Sequence, residues 1–156
     1  MESCVLVGSK KNTENEVNAE PFLKWAGGKG KLLKQYEPFF PTRFNSYLEP
    51  FVGGGAVFFH LYNTGRLKNS KRVILIDSNE ELINCYSVIK ENVEKLIGVL
   101  SSSKYVNERD IYYLIRKEEP QDRFERAART IYLNKTCYNG LYRVNSQGKF
   151  NVPFGR

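Results

Sequence analysis

The sequence predicts an α/β fold followed by a helical module that carries a β-hairpin, on three observations. Two short apolar runs, Ser46-Tyr47-Leu48-Glu49 and Arg72-Val73-Ile74-Leu75-Ile76, flank a stretch from Ala56 to Asn63 that suits a helix. Three helical patterns follow one another after Asp77. Beyond Asn134, two short segments face each other across Asn145-Ser146-Gln147-Gly148. With 156 residues, 41% of them hydrophobic, the chain is long enough for an ordinary domain with a packed core.

Residues 1–20 are rich in Ser, Asn, Glu and Lys without periodicity, which predicts a mobile extension with order starting near Pro21. The two apolar runs are too short for helices and lack alternation, as expected of strands covered on both faces. Strand, glycine turn, helix and strand together make a βαβ unit. After Asp77 the period changes: Leu82, Ile83, Tyr86, Ile89, Val93 and Leu96 recur at steps of three and four, behind a Ser78/Glu81 capping box. That pattern predicts one long helix. Ser101 to Ser103 end it, a second helix is expected from Asn107 to Glu119, and a third starts at Asp122 with Phe124, Ala127, Ala128 and Ile131 on one face. Leu141 to Val144 and Lys149 to Val152 then read as a hairpin. The expected division is 21–86 for the first domain and 87–156 for the second.

The formal charge of +7 is blocked along the chain. Residues 126–156 hold Arg126, Arg129, Lys135, Arg143, Lys149 and Arg156 and no carboxylate, interleaved with Tyr132, Tyr138, Tyr142, Phe150 and Phe154. Cations alternating with aromatics point to a polyanion partner more than to a merely solvated face. Cys4, Cys85 and Cys137 are widely spaced and His60 is the only histidine, so neither a disulfide framework nor a metal site is encoded. The run from Pro50 to Gly65 is too short and glycine-rich to span a bilayer, and the N-terminus lacks the apolar core of a secretion signal. A cytoplasmic protein with no membrane partner is expected.

Three constellations carry chemistry. Glu49-Pro50-Phe51-Val52-Gly53-Gly54-Gly55 closes the first strand and Asp77 the second. Glycines there let backbone N–H groups approach a ligand at the carboxyl edge of a sheet, and an acid at the next strand tip suits the hydroxyls of a ribose. A dinucleotide fingerprint needs a small residue where Phe58 stands, so S-adenosylmethionine is favoured over NAD. The second constellation, Phe22-Leu23-Lys24-Trp25-Ala26-Gly27-Gly28-Lys29, holds the only tryptophan. It lacks the Walker spacing, but Lys29 could meet a carboxylate and Trp25 a sulfonium or adenine; a turn with a buried aromatic explains it equally well. The third, Tyr138-Asn139-Gly140-Leu141-Tyr142-Arg143, offers a plane to wedge between bases and a guanidinium able to take O6 and N7 of guanine. Lys135 and Lys149 suit phosphates. Asn139 alone is more simply read as part of an Asn-Gly turn.

These stretches resemble the Dam-type N6-adenine DNA methyltransferases. FLKWAGGKGKLL (22–33), LEPFVGGGAVFFHL (48–61), LIDSNEELINCY (75–86) and YLNKTCYNGLYRVNSQGKFNVPFG (132–155) occur in that family's order and at similar spacing. The resemblance implies the front part of a Rossmann-like, S-adenosylmethionine-dependent sheet, into which a helical target-recognition domain with its hairpin is inserted. It implies that Trp25, Lys29 and Asp77 bind the cofactor, with Glu49, Phe51, Gly53 and Gly55 shaping its pocket. Lys24, Tyr138, Asn139, Leu141, Arg143 and Pro153 would lie against duplex DNA, with Arg143 reading a base and Tyr138 wedging beside the target. A restriction endonuclease would be a genetic partner only.

The sequence departs from that family in one respect. The family's chemistry sits on an Asp-Pro-Pro-Tyr type motif, whose carboxylate and carbonyl accept the hydrogens of the target amine. Here the six prolines stand at 21, 38, 41, 50, 120 and 153, with no two adjacent. The expectation is therefore a chain that stops before the catalytic strand and is inactive by itself. The alternative is a non-catalytic DNA-binding module derived from such an enzyme.

Overall fold

The computed structural model describes the backbone of residues 3–6 and, in full, residues 18–155. They divide into two compact units, one built from the N-terminus to Phe22 together with Gly27–Ser78, the other from Leu23–Ala26 together with Asn79 onward. The division thus falls between Ser78 and Asn79, earlier than the expected 86/87, and the Leu23–Ala26 segment crosses to the second unit.

The first unit holds a three-stranded sheet. Strands β2 (Ser46–Glu49) and β3 (Arg72–Asp77) run parallel, with Leu48 opposite Ile74. Between them lies α2 (Ala56–Asn63), so the βαβ unit is present. Its turn follows from the glycines: Gly53 and Gly55 both take positive φ, 52° and 79°, which a side chain would strain. Strand β1 (Ser3–Leu6) pairs antiparallel with the other edge of β3, Val5 opposite Leu75. Within the mobile extension expected over 1–20, Ser3–Leu6 instead pairs, because β3 offers a second row of backbone donors and acceptors that an extended segment can satisfy. Residues 7–17 lie outside the described ones.

Burial separates the two parallel strands. Val73, Ile74 and Leu75 of β3 are buried alongside Val57, Phe58, Leu61, Leu67 and Val52. Strand β2 has its described partner on one side only, and Leu48 is 56% exposed. The expectation that both strands are covered on both faces therefore fails for β2, which is an edge among the described residues. Before it, a three-ten turn over Lys29–Leu32 leads into α1 (Leu33–Tyr36) and a second turn over Glu37–Phe39.

The second unit is helical: α3 (Glu80–Leu100), α4 (Arg109–Lys117) and α5 (Arg123–Thr136), with α3 and α4 both packed on α5. Two details correct the sequence reading. The cap of α3 is Asn79, whose side chain accepts the N–H of Leu82 at 3.0 Å, instead of the Ser78/Glu81 box. The long helix is also interrupted at Asn92, an extended residue (φ −159°, ψ 84°) whose side chain accepts the Lys95 N–H and restarts the helix. Apolar spacing continues across the break and so conceals it. Asp122 caps α5 as expected, accepting from Phe124 and Glu125.

After α5 the expected hairpin is looser than two strands. Val144 and Phe150 form an isolated antiparallel bridge around a turn closed by Gly148 N–H to Asn145 O, and Cys137 bridges Phe154. The reason is packing: this segment is pinned by side chains. Tyr112, Ile115, Tyr132, Leu133, Cys137, Phe150 and Val152 form one buried cluster, and the Tyr112 hydroxyl donates to Val152 O at 2.8 Å.

Candidate functional site

At the carboxyl ends of β2 and β3 the chain turns on Val52-Gly53-Gly54-Gly55. The Val52 N–H donates to Ile76 O at 3.0 Å, and the Gly53 N–H donates to Asp77 Oδ2 at 3.0 Å. The two strand tips are thereby tied, with the acid beside the glycine turn. Phe51, just before the turn, is 74% exposed. Lys29 Nζ donates to Phe51 O at 3.4 Å, which brings its ammonium to the same turn. Glu49 is buried, accepts the Tyr47 hydroxyl at 2.7 Å, and has its carboxyl pushed up by burial. Burial likewise raises the Tyr47 phenol.

Five of the residues marked for the cofactor (Lys29, Phe51, Gly53, Gly55, Asp77) and the buried Glu49 therefore share the first unit, around one turn. Trp25 belongs to the second unit, where its ring stacks on Tyr142 at 5.0 Å. Tyr47 was not singled out from the sequence. Its position two residues before Glu49, on the same side of the strand, was the available signal.

The residues marked for DNA all lie in the second unit. Tyr138 is 53% and Leu141 41% exposed, Asn139 takes a positive φ of 55°, and the Pro153 carbonyl accepts the Tyr138 N–H at 2.9 Å. Lys24 and Lys135 are exposed. The Arg143 guanidinium is held from the side: its Nε donates to Asn151 Oδ1 at 2.7 Å and its Nη2 to Asn151 O at 3.3 Å. Lys149 pairs with Glu119 at 2.6 Å.

The basic and aromatic residues expected to form one polyanion surface divide instead into two sets. Tyr132 and Phe150 are buried, and Tyr142 and Phe154 pack against their cluster, because large rings are what this small unit uses for its core. Arg126 pairs with Glu81, and Arg129 donates to the carbonyls of Ile115 and Arg116, where burial lowers its pKa. Arg156 lies outside the described residues. Lys24, Lys135, Tyr138, Leu141, Arg143 and Lys149 remain on the surface. Asn134 and Asn151 organise this region and were not marked from the sequence. Asn134 carried a signal, since it falls on the apolar face of α5 that Phe124, Ala127, Ala128 and Ile131 define.

Comparison with known proteins supplies the class. The sequence model of the D12 class N6 adenine-specific DNA methyltransferases matches residues 25–156, and the chain belongs to that family. It is 44% identical over 157 residues to the type II methyltransferase M.MjaIII of Methanocaldococcus jannaschii, an alignment that covers 90% of this chain and 53% of that protein. To the type II methyltransferase M1.LlaDCHI of Lactococcus lactis subsp. cremoris it is 41% identical, over 92% of this chain and 50% of the relative. The DNA adenine methylase of Haemophilus influenzae is 39% identical, over 94% and 50%. The chain spans about half the length of these relatives. Among the described residues no helix is long and apolar enough to cross a membrane.

Proposed function

We propose that this chain is the cofactor-holding and DNA-recognising portion of a DNA adenine methyltransferase. The first unit binds S-adenosylmethionine and the second is the target-recognition domain inserted in the methyltransferase fold. The observation that carries this reading is the Gly53–Asp77 tie, which puts a carboxylate and a glycine backbone at the carboxyl tips of adjacent parallel strands. The residues present suit the cofactor: Asp77 as acceptor for ribose hydroxyls, the exposed Phe51 ring as a face for adenine, and Lys29 beside Phe51 O as counter-ion for the carboxylate. Glu49 and Gly55 shape the floor of the turn; a cofactor role for Trp25, which belongs to the second unit, rests on the family resemblance alone. When bound, the cofactor supplies an activated methyl group for direct displacement at N6 of an adenine flipped out of the duplex.

On the DNA side, Arg143 reads a base from the geometry that Asn151 gives it, and Tyr138 wedges beside the target. Lys24, Asn139, Leu141 and Pro153 lie against the duplex, and Lys135 and Lys149 meet phosphates. GATC is the proposed site. Because no two of the six prolines are adjacent, these 156 residues hold no Asp-Pro-Pro-Tyr pair of acceptors, and the chain by itself binds without turnover. That same observation favours a second reading, a non-catalytic DNA-binding module. Calorimetry with S-adenosylmethionine separates them: saturable binding supports the methyltransferase reading, and duplex binding without cofactor binding supports the module. Methyl transfer by the purified chain would overturn the expectation of inactivity.

A further inference from the structure

Asn134 lies in the last turn of α5 and is 1% exposed. Its side-chain amide is spent on two segments far apart in sequence. Oδ1 accepts the Lys24 N–H at 2.9 Å, Nδ2 donates to Lys24 O at 2.9 Å, and the same Nδ2 donates to Gly140 O at 2.9 Å. Binding both the N–H and the C=O of one residue holds Lys24 as a strand partner would. Gly140 completes the arrangement. It takes a φ of +65°, and a Cβ there would lie 2.5 Å from Lys24 Cδ and 2.9 Å from Lys24 Cβ. The aliphatic stem of Lys24 thus lies against the glycine of the 138–140 turn. The neighbouring Trp25 stacks on Tyr142.

From this geometry we infer that Asn134 is a positioning residue for DNA recognition: it sets Lys24 in register with the Tyr138–Leu141 turn so that both meet the duplex as one surface. The assignment rests on the DNA role proposed above for the second unit. A buried asparagine that served only packing could be satisfied by its own helix. This one uses its acceptor and both donor bonds to join the two segments that carry exposed candidate contacts.

The test uses the full chain, a fluorescein-labelled duplex containing GATC, and Trp25 as the sole tryptophan reporter. Asn134→Ala should shift Trp25 emission to the red, increase its quenching by acrylamide, and weaken duplex binding about tenfold while circular dichroism stays that of a folded chain. Lys24→Ala should weaken binding similarly, and Asn134→Ala should add less than about twofold in the Lys24→Ala background, because it acts through Lys24. Gly140→Ala serves as the second variant should Asn134→Ala fail to fold. It displaces the Lys24 stem with Asn134 intact, and its loss should likewise not multiply with that of Lys24→Ala. Losses that multiply, or unchanged Trp25 emission and duplex affinity in folded Asn134→Ala, overturn the assignment alone. Failure of the wild-type chain to bind duplex overturns the DNA reading and the assignment together.

Discussion

The Gly53 N–H donates to Asp77 Oδ2 across 3.0 Å, joining residues 24 apart at the tips of two parallel strands. This bond fixes the carboxylate and the backbone of the glycine turn relative to each other before any ligand arrives, and preorganised acceptors bind with less loss of freedom.

Asp77→Ala should therefore lower affinity for S-adenosylmethionine by about tenfold or more, the scale of a charge-assisted hydrogen bond. Titration calorimetry reads this. Duplex affinity, measured by anisotropy on the same protein, should change by less than about twofold. Equal loss of both would mean that Asp77 supports folding alone.

Glu37 provides a pH prediction for the first unit. Arg66 at 2.5 Å and His60 at 2.6 Å donate to its carboxylate and lower its pKa from 4.5 to about 2. A carboxyl depressed on folding stabilises the native state fully above its ordinary pKa, and the gain is lost as pH falls toward the folded value. Thermal midpoints should thus fall between about pH 4.5 and pH 2, and Glu37→Gln should remove that part of the slope. A variant with the wild-type slope in this window would assign the acid sensitivity to other carboxylates.

The surface cations make separable predictions for duplex binding. Arg143→Ala should cost roughly 1–3 kcal/mol of discrimination between sites, whereas Lys149→Ala should weaken all sequences alike and reduce the salt slope by about one. Since Glu119 holds Lys149 at 2.6 Å, Glu119→Gln should raise duplex affinity. Anisotropy titrations over a range of salt test all three, and indifference to every one would remove the hairpin from the interface.

Capping of α3 distinguishes the observed terminus from the one expected from sequence. Asn79→Ala should destabilise by about 1 kcal/mol, the usual cost of losing an N-cap acceptor, and Ser78→Ala should be close to neutral. Denaturant unfolding of the two variants decides between them, and the reverse order would restore the Ser78/Glu81 box.

Neighbouring residues determined a good deal of this protein by themselves. The strand–turn–helix–strand order from Ser46 to Asp77, the Asp122 cap and the glycine turn all follow from local rules, because apolar period, turn chemistry and capping act within a few residues of chain. Family membership was legible for the same reason, as runs of residues kept in order. Only the tertiary structure decided which rings and cations are available. Tyr132 and Phe150 went to the core, Arg126 went to Glu81, and Tyr138 stayed outside. It also placed Lys24 on Asn134 across 110 residues. Such pairings depend on which surfaces packing brings together, and no local pattern encodes that distance: a buried amide must find partners wherever the fold supplies them.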